Sequence, residues 1–162
     1  MGDVRGHSVS LRWAHILLRA VGIVAILLAA GGVLYTATSL YTVASGGIDE
    51  LAIEARTPYV HSAFYAMATI CLFFYAVVLV CGVQFIRLRS SLWWLFTAVL
   101  VAEVVFYFLV GWLWSHPTLG DSIAGASGIS SGGLVYQFLL LFPLWAPIVV
   151  WFAHRTLSTY AP

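Results

Sequence analysis

The sequence predicts an all-α integral membrane protein: four antiparallel transmembrane helices and one short amphipathic helix on the outer surface. Of 162 residues, 62% are hydrophobic and 8% are charged, whereas soluble domains average about 45 to 50% and about 25%. Four apolar runs each reach the roughly 20 residues that a ~30 Å hydrocarbon core requires; they lie at about 16–40, 59–86, 92–114 and 134–153. Because the connections are short, residues 1–162 are expected to form a single membrane domain.

Arg5 and Arg12 precede the first run and Arg19 lies near its start, so a cleaved signal peptide is an alternative to a membrane helix. The apolar region of a signal peptide has about 7 to 15 residues. The first run is much longer, which favours a retained helix. Small residues fall along one stripe of this helix, at Gly22, Ala25, Ala29 and Gly32. Such a stripe lets another helix approach closely, and the expected partner is a helix of the same bundle.

The first two helices are joined on the outer side. Gly46 and Gly47 interrupt the apolar pattern, and segment 48–56 then has apolar residues at helical spacing. This spacing predicts a short helix that lies on the outer surface. Pro58 precedes the second run, and proline is tolerated in the first turn of a helix.

The other two connections differ in length. Residues 87–91 allow only a tight turn, so the second and third helices should be antiparallel neighbours. Segment 115–133 contains five glycines and five serines and is expected to be a flexible outer loop. In the fourth run, Pro143 and Pro147 cannot donate backbone hydrogen bonds to the carbonyls of Leu139 and Pro143. In lipid, these carbonyls need other partners.

The distribution of arginine predicts the orientation. All seven basic residues are arginines, and with a cytoplasmic N-terminus only Arg56 would face outward. The positive-inside rule therefore predicts that both termini are cytoplasmic, in the plasma membrane or inner membrane of the cell. The net charge is +1, and no basic surface indicates nucleic-acid binding.

Glu103 lies at the midpoint of the third run, where a charged carboxylate would be costly. The sequence places no basic residue at the same depth, so this carboxyl is expected to be protonated and to donate a hydrogen bond. Its expected acceptors are the carbonyls left open by the prolines, with two tyrosine hydroxyls as further partners. The candidate intramembrane polar site comprises Glu103, Tyr75, Tyr107, Leu139, Pro143 and Pro147.

Few polar residues lie within the four runs, which favours a non-catalytic accessory, scaffold or self-associating subunit of a membrane assembly. Its partners would be the lipid bilayer and other membrane subunits or a second copy. A small transporter or ligand-binding protein with Glu103 in a midplane cavity is the alternative. A third hypothesis is a metal-dependent enzyme with His61 and His116 on the outer face, but their spacing matches no local metal motif. The sequence identifies neither catalytic residues nor a cofactor.

Overall fold

The computed structural model describes the backbone of residues 4–47, 60–113 and 142–160, and the side chains of 10–46, 65–106 and 142–159. Within these residues the protein is helical and has no strand, which confirms the predicted all-α class. The elements are α1 (Val4–Thr42), a π-helical turn (Val43–Gly47), α2 (Val60–Ile86), α3 (Trp93–Leu113) and α4 (Phe142–Tyr160). The predicted outer helix at 48–56 and the outer loop at 115–133 lie outside the described residues.

Two helices extend past the apolar runs that predict them. α1 begins at Val4 rather than near position 16, and α4 continues from position 153 to Tyr160. The 39 residues of α1 span about 58 Å at 1.5 Å per residue, roughly twice the thickness of a hydrocarbon core. Hydropathy marks only the part of a helix that suits lipid, whereas backbone hydrogen bonding continues into polar sequence.

The four helices form a closed ring in which α1 packs against α2 and α4, and α3 packs against the same two helices. Neighbouring helices are antiparallel: Phe85 and Phe74 of α2 contact Phe96 and Phe106 of α3, respectively. The predicted adjacency of the second and third helices is therefore confirmed. We call the end of the bundle that contains residues 87–92 the inner end, and the opposite end the outer end.

α1 and α2 approach each other most closely at a pair of glycines. A Cβ atom on Gly22 would lie 2.8 Å from the carbonyl oxygen of Gly82, and one on Gly82 would lie 2.9 Å from the carbonyl oxygen of Gly22. Farther toward the outer end, the ring of Tyr75 packs against Gly32, where a Cβ atom would come within 2.5 Å of the ring. The small-residue stripe predicted on the first helix is thus used for packing inside the bundle.

Aromatic rings connect the other helices near the inner end. Phe96 of α3 contacts Phe85 of α2 and Phe142 of α4 edge to face, with ring centroids 5.1 and 6.0 Å apart. All three side chains are buried. α1 and α4 add smaller side chains to this core, namely Ala14, Leu18, Val21, Ala25, Ala29, Ala146, Val150 and Ala153.

The exterior of the bundle, along the sides of its helices, is strongly apolar. Leu27, Phe73 and Leu144, on three different helices, are 67%, 63% and 61% exposed. In the most apolar 18-residue windows of α1 and α2, only 28% and 22% of the residues are buried. A helix in the core of a soluble protein would be mostly buried. α1 and α2 are long and apolar enough to cross a membrane.

The turn between α2 and α3 is a Schellman motif. The N–H of Arg89 donates to the carbonyl of Gln84, and that of Leu88 donates to the carbonyl of Phe85, each over 2.9 Å. Leu88 has a φ of 60°, a left-handed conformation that is usual for glycine and costs other residues about 1 to 2 kcal/mol. This turn ends α2 abruptly and sets the position of Ser90.

Candidate functional site

Glu103 lies on the face of α3 that points into the bundle. Three residues on this face, Phe96, Val99 and Leu100, are buried. Glu103 lies seven residues after Phe96 and therefore on the same helical stripe. Its neighbours on the other face, Val101 and Val105, are exposed. Glu103 itself is partly buried. The carboxyl therefore belongs to the interior of the bundle rather than to its exposed exterior.

The helix expected to receive the hydrogen bond is adjacent to α3. Phe96 contacts Phe142, and Trp93 stacks on His154. Counting outward along the two antiparallel helices from the Trp93–His154 contact places Glu103 at the level of about position 144 of α4, whereas counting from the Phe96–Phe142 contact places it beyond Phe142, where α4 as described begins. Pro143 lies near this level, whereas Leu139 lies outside the described residues.

The two prolines differ in their position on α4. Pro143 is in the first described turn, whereas Pro147 lies within the helix, one turn farther toward the inner end. Since Pro147 has no N–H, the carbonyl of Pro143 lacks its usual helical donor. The carbonyl of Pro143 that Pro147 leaves open stays a predicted acceptor for Glu103.

Among the described residues, Glu103 makes no hydrogen bond. Tyr75 lies within about one helical turn of its depth, but the Tyr75 ring packs against Gly32 of α1. The side chain of Tyr107 and the whole of Leu139 lie outside the described residues. The hydrogen bonds from Glu103 to Tyr107 and to Leu139 stay predictions.

The surroundings of Glu103 limit its chemistry. On α3, the nearest described side chains on its stripe are Val99, Leu100 and Phe106, all apolar. A carboxyl in such a setting can keep its proton and donate a hydrogen bond, or it can ionise when a cation binds beside it. The first behaviour suits a contact between helices, and the second suits a ligand site.

The side chains of the two predicted metal ligands on the outer face lie outside the described residues. His61 lies in the first turn of α2, where only the backbone is described, and His116 lies outside the described residues. In the described part of the chain, no group of three or more His, Cys, Asp or Glu side chains could hold a metal ion.

The structure reveals a polar contact at the inner end that the sequence analysis missed. The Oγ of Ser90 lies 2.9 Å from Nδ1 of His154, and the indole of Trp93 stacks on the imidazole with 5.5 Å between ring centroids. Ser90 belongs to the turn after α2, Trp93 begins α3, and His154 lies on α4. This cluster, which we call the inner latch, fastens α4 to the α2–α3 turn.

No local pattern could have predicted the inner latch, because Ser90 and His154 are separated by 64 positions. The pairing of a hydroxyl with an imidazole is also found in nucleophilic sites, which need a group that orients the imidazole and donors that stabilise an oxyanion. Here the imidazole is oriented by the indole of Trp93. Because the three residues come from the α2–α3 turn, α3 and α4, we interpret the latch as a contact that holds these elements together.

Comparison of the chain with protein-family models, curated proteins and solved structures gave no match. The functional inference consequently depends on the geometry of the bundle.

Proposed function

We propose that this chain is an integral membrane protein with four spanning helices, which acts as a non-catalytic scaffold or accessory subunit of a membrane assembly. The observation that supports this proposal most directly is the apolar exterior along the sides of the bundle. Large hydrophobic side chains are exposed on all four helices, for example at Leu27, Phe73, Val101 and Ile148. Removing apolar surface from water lowers the free energy by about 25 cal/mol per Å², so lipid or a partner subunit is the favoured environment of these side chains.

The dimensions of α3 and the surface of α4 support four spans rather than two. The 21 residues of α3 measure about 31 Å, which matches a hydrocarbon core of ~30 Å. In α4, Leu144, Ile148 and Phe152 are more than half exposed and recur every four residues, so they form an apolar stripe directed away from the bundle. Both helices fit a lipid environment.

The arginines support cytoplasmic termini. Arg12 and Arg19 lie in the first half of α1, Arg87 and Arg89 in the α2–α3 turn, and Arg155 near the end of α4. The antiparallel arrangement brings these five side chains to the inner end, and all five are exposed. Under the positive-inside rule this end faces the cytoplasm.

The interior favours a scaffold over an enzyme. In the described core, the helices meet through glycines, alanines and aromatic rings. The buried hydroxyl of Thr36 donates to the carbonyl of Gly32 one turn earlier in α1, so it is used within its own helix. Such packing provides a rigid body with a broad apolar exterior, which is suited to binding other membrane helices.

The proposal can be tested by photocrosslinking in native membranes. A photoreactive amino acid would replace Leu27, Phe73, Val101 or Ile148, one lipid-facing position on each helix. A subunit of an assembly should give protein adducts from one or two adjacent helices and lipid adducts from the others. Lipid adducts alone from all four positions would contradict the scaffold proposal. Extraction of the wild-type protein by alkaline carbonate would contradict membrane integration.

One observation favours a second candidate function, that of a small transporter or ligand-binding protein. Glu103 faces the interior of the bundle, and a carboxyl in that position can exchange a proton or bind a cationic ligand. Glu103→Gln keeps a hydrogen-bond donor but cannot ionise. A transporter should lose pH-dependent ligand binding while its helical content stays unchanged, whereas a scaffold should keep its fold and its crosslinked partners.

A further inference from the structure

The described residues form a groove between α1 and α4 at the inner end of the bundle. The groove is shallow and open, with a volume of about 260 Å³, and it is lined by Ser10, Phe152, Arg155, Thr156 and Thr159. We propose that this groove binds the headgroup phosphate of an anionic phospholipid. The inference depends on the membrane placement proposed above.

Arg155 provides the positive charge of the groove. Its guanidinium carbon lies 5.4 Å from the centroid of the Trp151 ring, a cation–π distance. This contact orients the guanidinium, while its N–H groups can still donate to acceptors outside the ring. In the part of the chain that the structure describes, no carboxylate forms an ion pair with Arg155. An oriented guanidinium of this kind is well suited to bind phosphate oxygens in pairs.

The threonines make Arg155 the main donor in the groove. The hydroxyl of Thr156 donates to the carbonyl of Phe152 over 2.9 Å, and that of Thr159 donates to the carbonyl of Arg155 over 2.8 Å. Because these hydroxyl protons are already used within α4, the two side chains offer mainly acceptor oxygens. They could receive hydrogen bonds from the glycerol hydroxyls of a headgroup, while the phosphate would contact Arg155.

The apolar wall of the groove favours a lipid over a free anion. Phe152 is 56% exposed and lies three residues before Arg155, on the side toward the membrane interior. It continues the exposed stripe formed by Leu144 and Ile148. A bound phospholipid could place its phosphate on Arg155 and its acyl chains along this stripe. Inorganic phosphate would gain nothing from the apolar part of the site.

The charge around the groove also suits an anionic lipid. Arg12, Arg19, Arg87 and Arg89 are exposed at the same end of the bundle. Among the described residues this end contains no carboxylate, since the single described acidic side chain is Glu103 near mid-bundle. Clusters of arginine next to a membrane attract anionic lipids and so raise their concentration near the groove.

The test uses the full-length protein in lipid nanodiscs that contain equal amounts of phosphatidylcholine and phosphatidylglycerol. Native mass spectrometry would measure the ratio of the two lipids that stay bound. The wild type should retain phosphatidylglycerol preferentially. Arg155→Gln should lower this preference about fivefold, which corresponds to about 1 kcal/mol, and Arg155→Lys should retain more of it than Arg155→Gln because the charge is kept.

Arg12→Gln is the matched control. It removes the same charge from the same end, but Arg12 is two residues from Ser10 and thus about 200° around α1 from the groove. It should lower the preference for phosphatidylglycerol less than Arg155→Gln does, because its guanidinium attracts the headgroup in the groove only at a distance and through screening solvent. Equal losses in Arg155→Gln and Arg12→Gln would overturn the groove as the site, because they would indicate a general charge effect.

Two further outcomes would overturn the inference. One is the absence of any preference for phosphatidylglycerol in the wild type. The other is displacement of the retained lipid by millimolar inorganic phosphate, which would identify a free-anion site. Circular dichroism would verify that each variant is folded. Failure of the protein to enter nanodiscs would refute the proposed membrane function, whereas entry without lipid preference would refute only the lipid site.

Discussion

Replacement of Gly22 by alanine should destabilise the bundle by separating α1 from α2. The new Cβ atom would lie 2.8 Å from the carbonyl oxygen of Gly82, whereas ordinary van der Waals contact begins at 3.4 Å. The helices would therefore have to move apart locally by about 0.6 Å. Overpacking of this kind costs about 1 to 3 kcal/mol. The opposing gain from replacing a helical glycine by alanine is about 0.5 to 1 kcal/mol.

Gly31→Ala provides the matched control. Gly31 lies on the same helix, nine residues from Gly22, and a Cβ atom there would have no neighbour within 4 Å. Both variants gain the same helix propensity, so this term cancels when they are compared. The free energy of unfolding of Gly22→Ala should therefore be about 1 to 3 kcal/mol below that of Gly31→Ala.

The assay is unfolding in mixed micelles by increasing fractions of sodium dodecyl sulfate, followed by far-UV circular dichroism. Gly82→Ala should show a loss similar to that of Gly22→Ala, because its Cβ atom would meet the carbonyl oxygen of Gly22 at 2.9 Å. The double variant should lose less than the sum of the two, since one separation of the helices accommodates both methyl groups. Equal stabilities of Gly22→Ala and Gly31→Ala would refute the close approach of α1 and α2.

Three further predictions concern single contacts. Ser90→Ala removes the hydrogen bond to His154 and should lower the unfolding free energy by about 1 kcal/mol; in a double-mutant cycle with His154→Phe, a coupling energy of zero would show that the bond contributes nothing. Gln84→Met removes a buried Oε1 that has no hydrogen-bond partner among the described residues, so the unfolding free energy should stay unchanged or rise by up to about 1 kcal/mol. A clear loss of stability in the same unfolding assay would show that this oxygen does make a stabilising contact. Pro147→Ala supplies an N–H for the carbonyl of Pro143 and should straighten α4, as measured by electron–electron distances between spin labels at the two ends of the helix; unchanged distances would show that packing alone sets the helix axis.

Composition and hydrophobic spacing were sufficient to predict helices and the small-residue face of α1. The stripe from Gly22 to Gly32 could be recognised because helical periodicity places its members on one side. Its partner on α2 could not be recognised, since Gly82 becomes an interface residue only when the register between two helices is set. The sequence likewise contained no indication that Leu88 adopts a left-handed conformation, which glycine would normally occupy.

Glu103 shows what can be predicted from the position of a residue along its predicted helix. Its position in the third run predicted a buried carboxyl near the fourth helix, and the structure places it on the bundle-facing stripe of α3 next to α4. Depth alone did not distinguish among the side chains at that level. Tyr75 lies at a similar depth but packs toward α1, because the direction of a side chain depends on its angular position around the helix.

The sequence by itself determined that this chain forms apolar helices, because composition and periodicity are properties of each segment. Because successive segments alternate in direction, the sequence also places most arginines toward one end of the bundle. Only the tertiary structure decided which residues come together across the chain: Gly22 packs against Gly82, Ser90 contacts His154, and Ser10 and Arg155 line one groove. The physical reason is that such contacts depend on the rotation and axial register of whole helices, which are set by the packing of all four together.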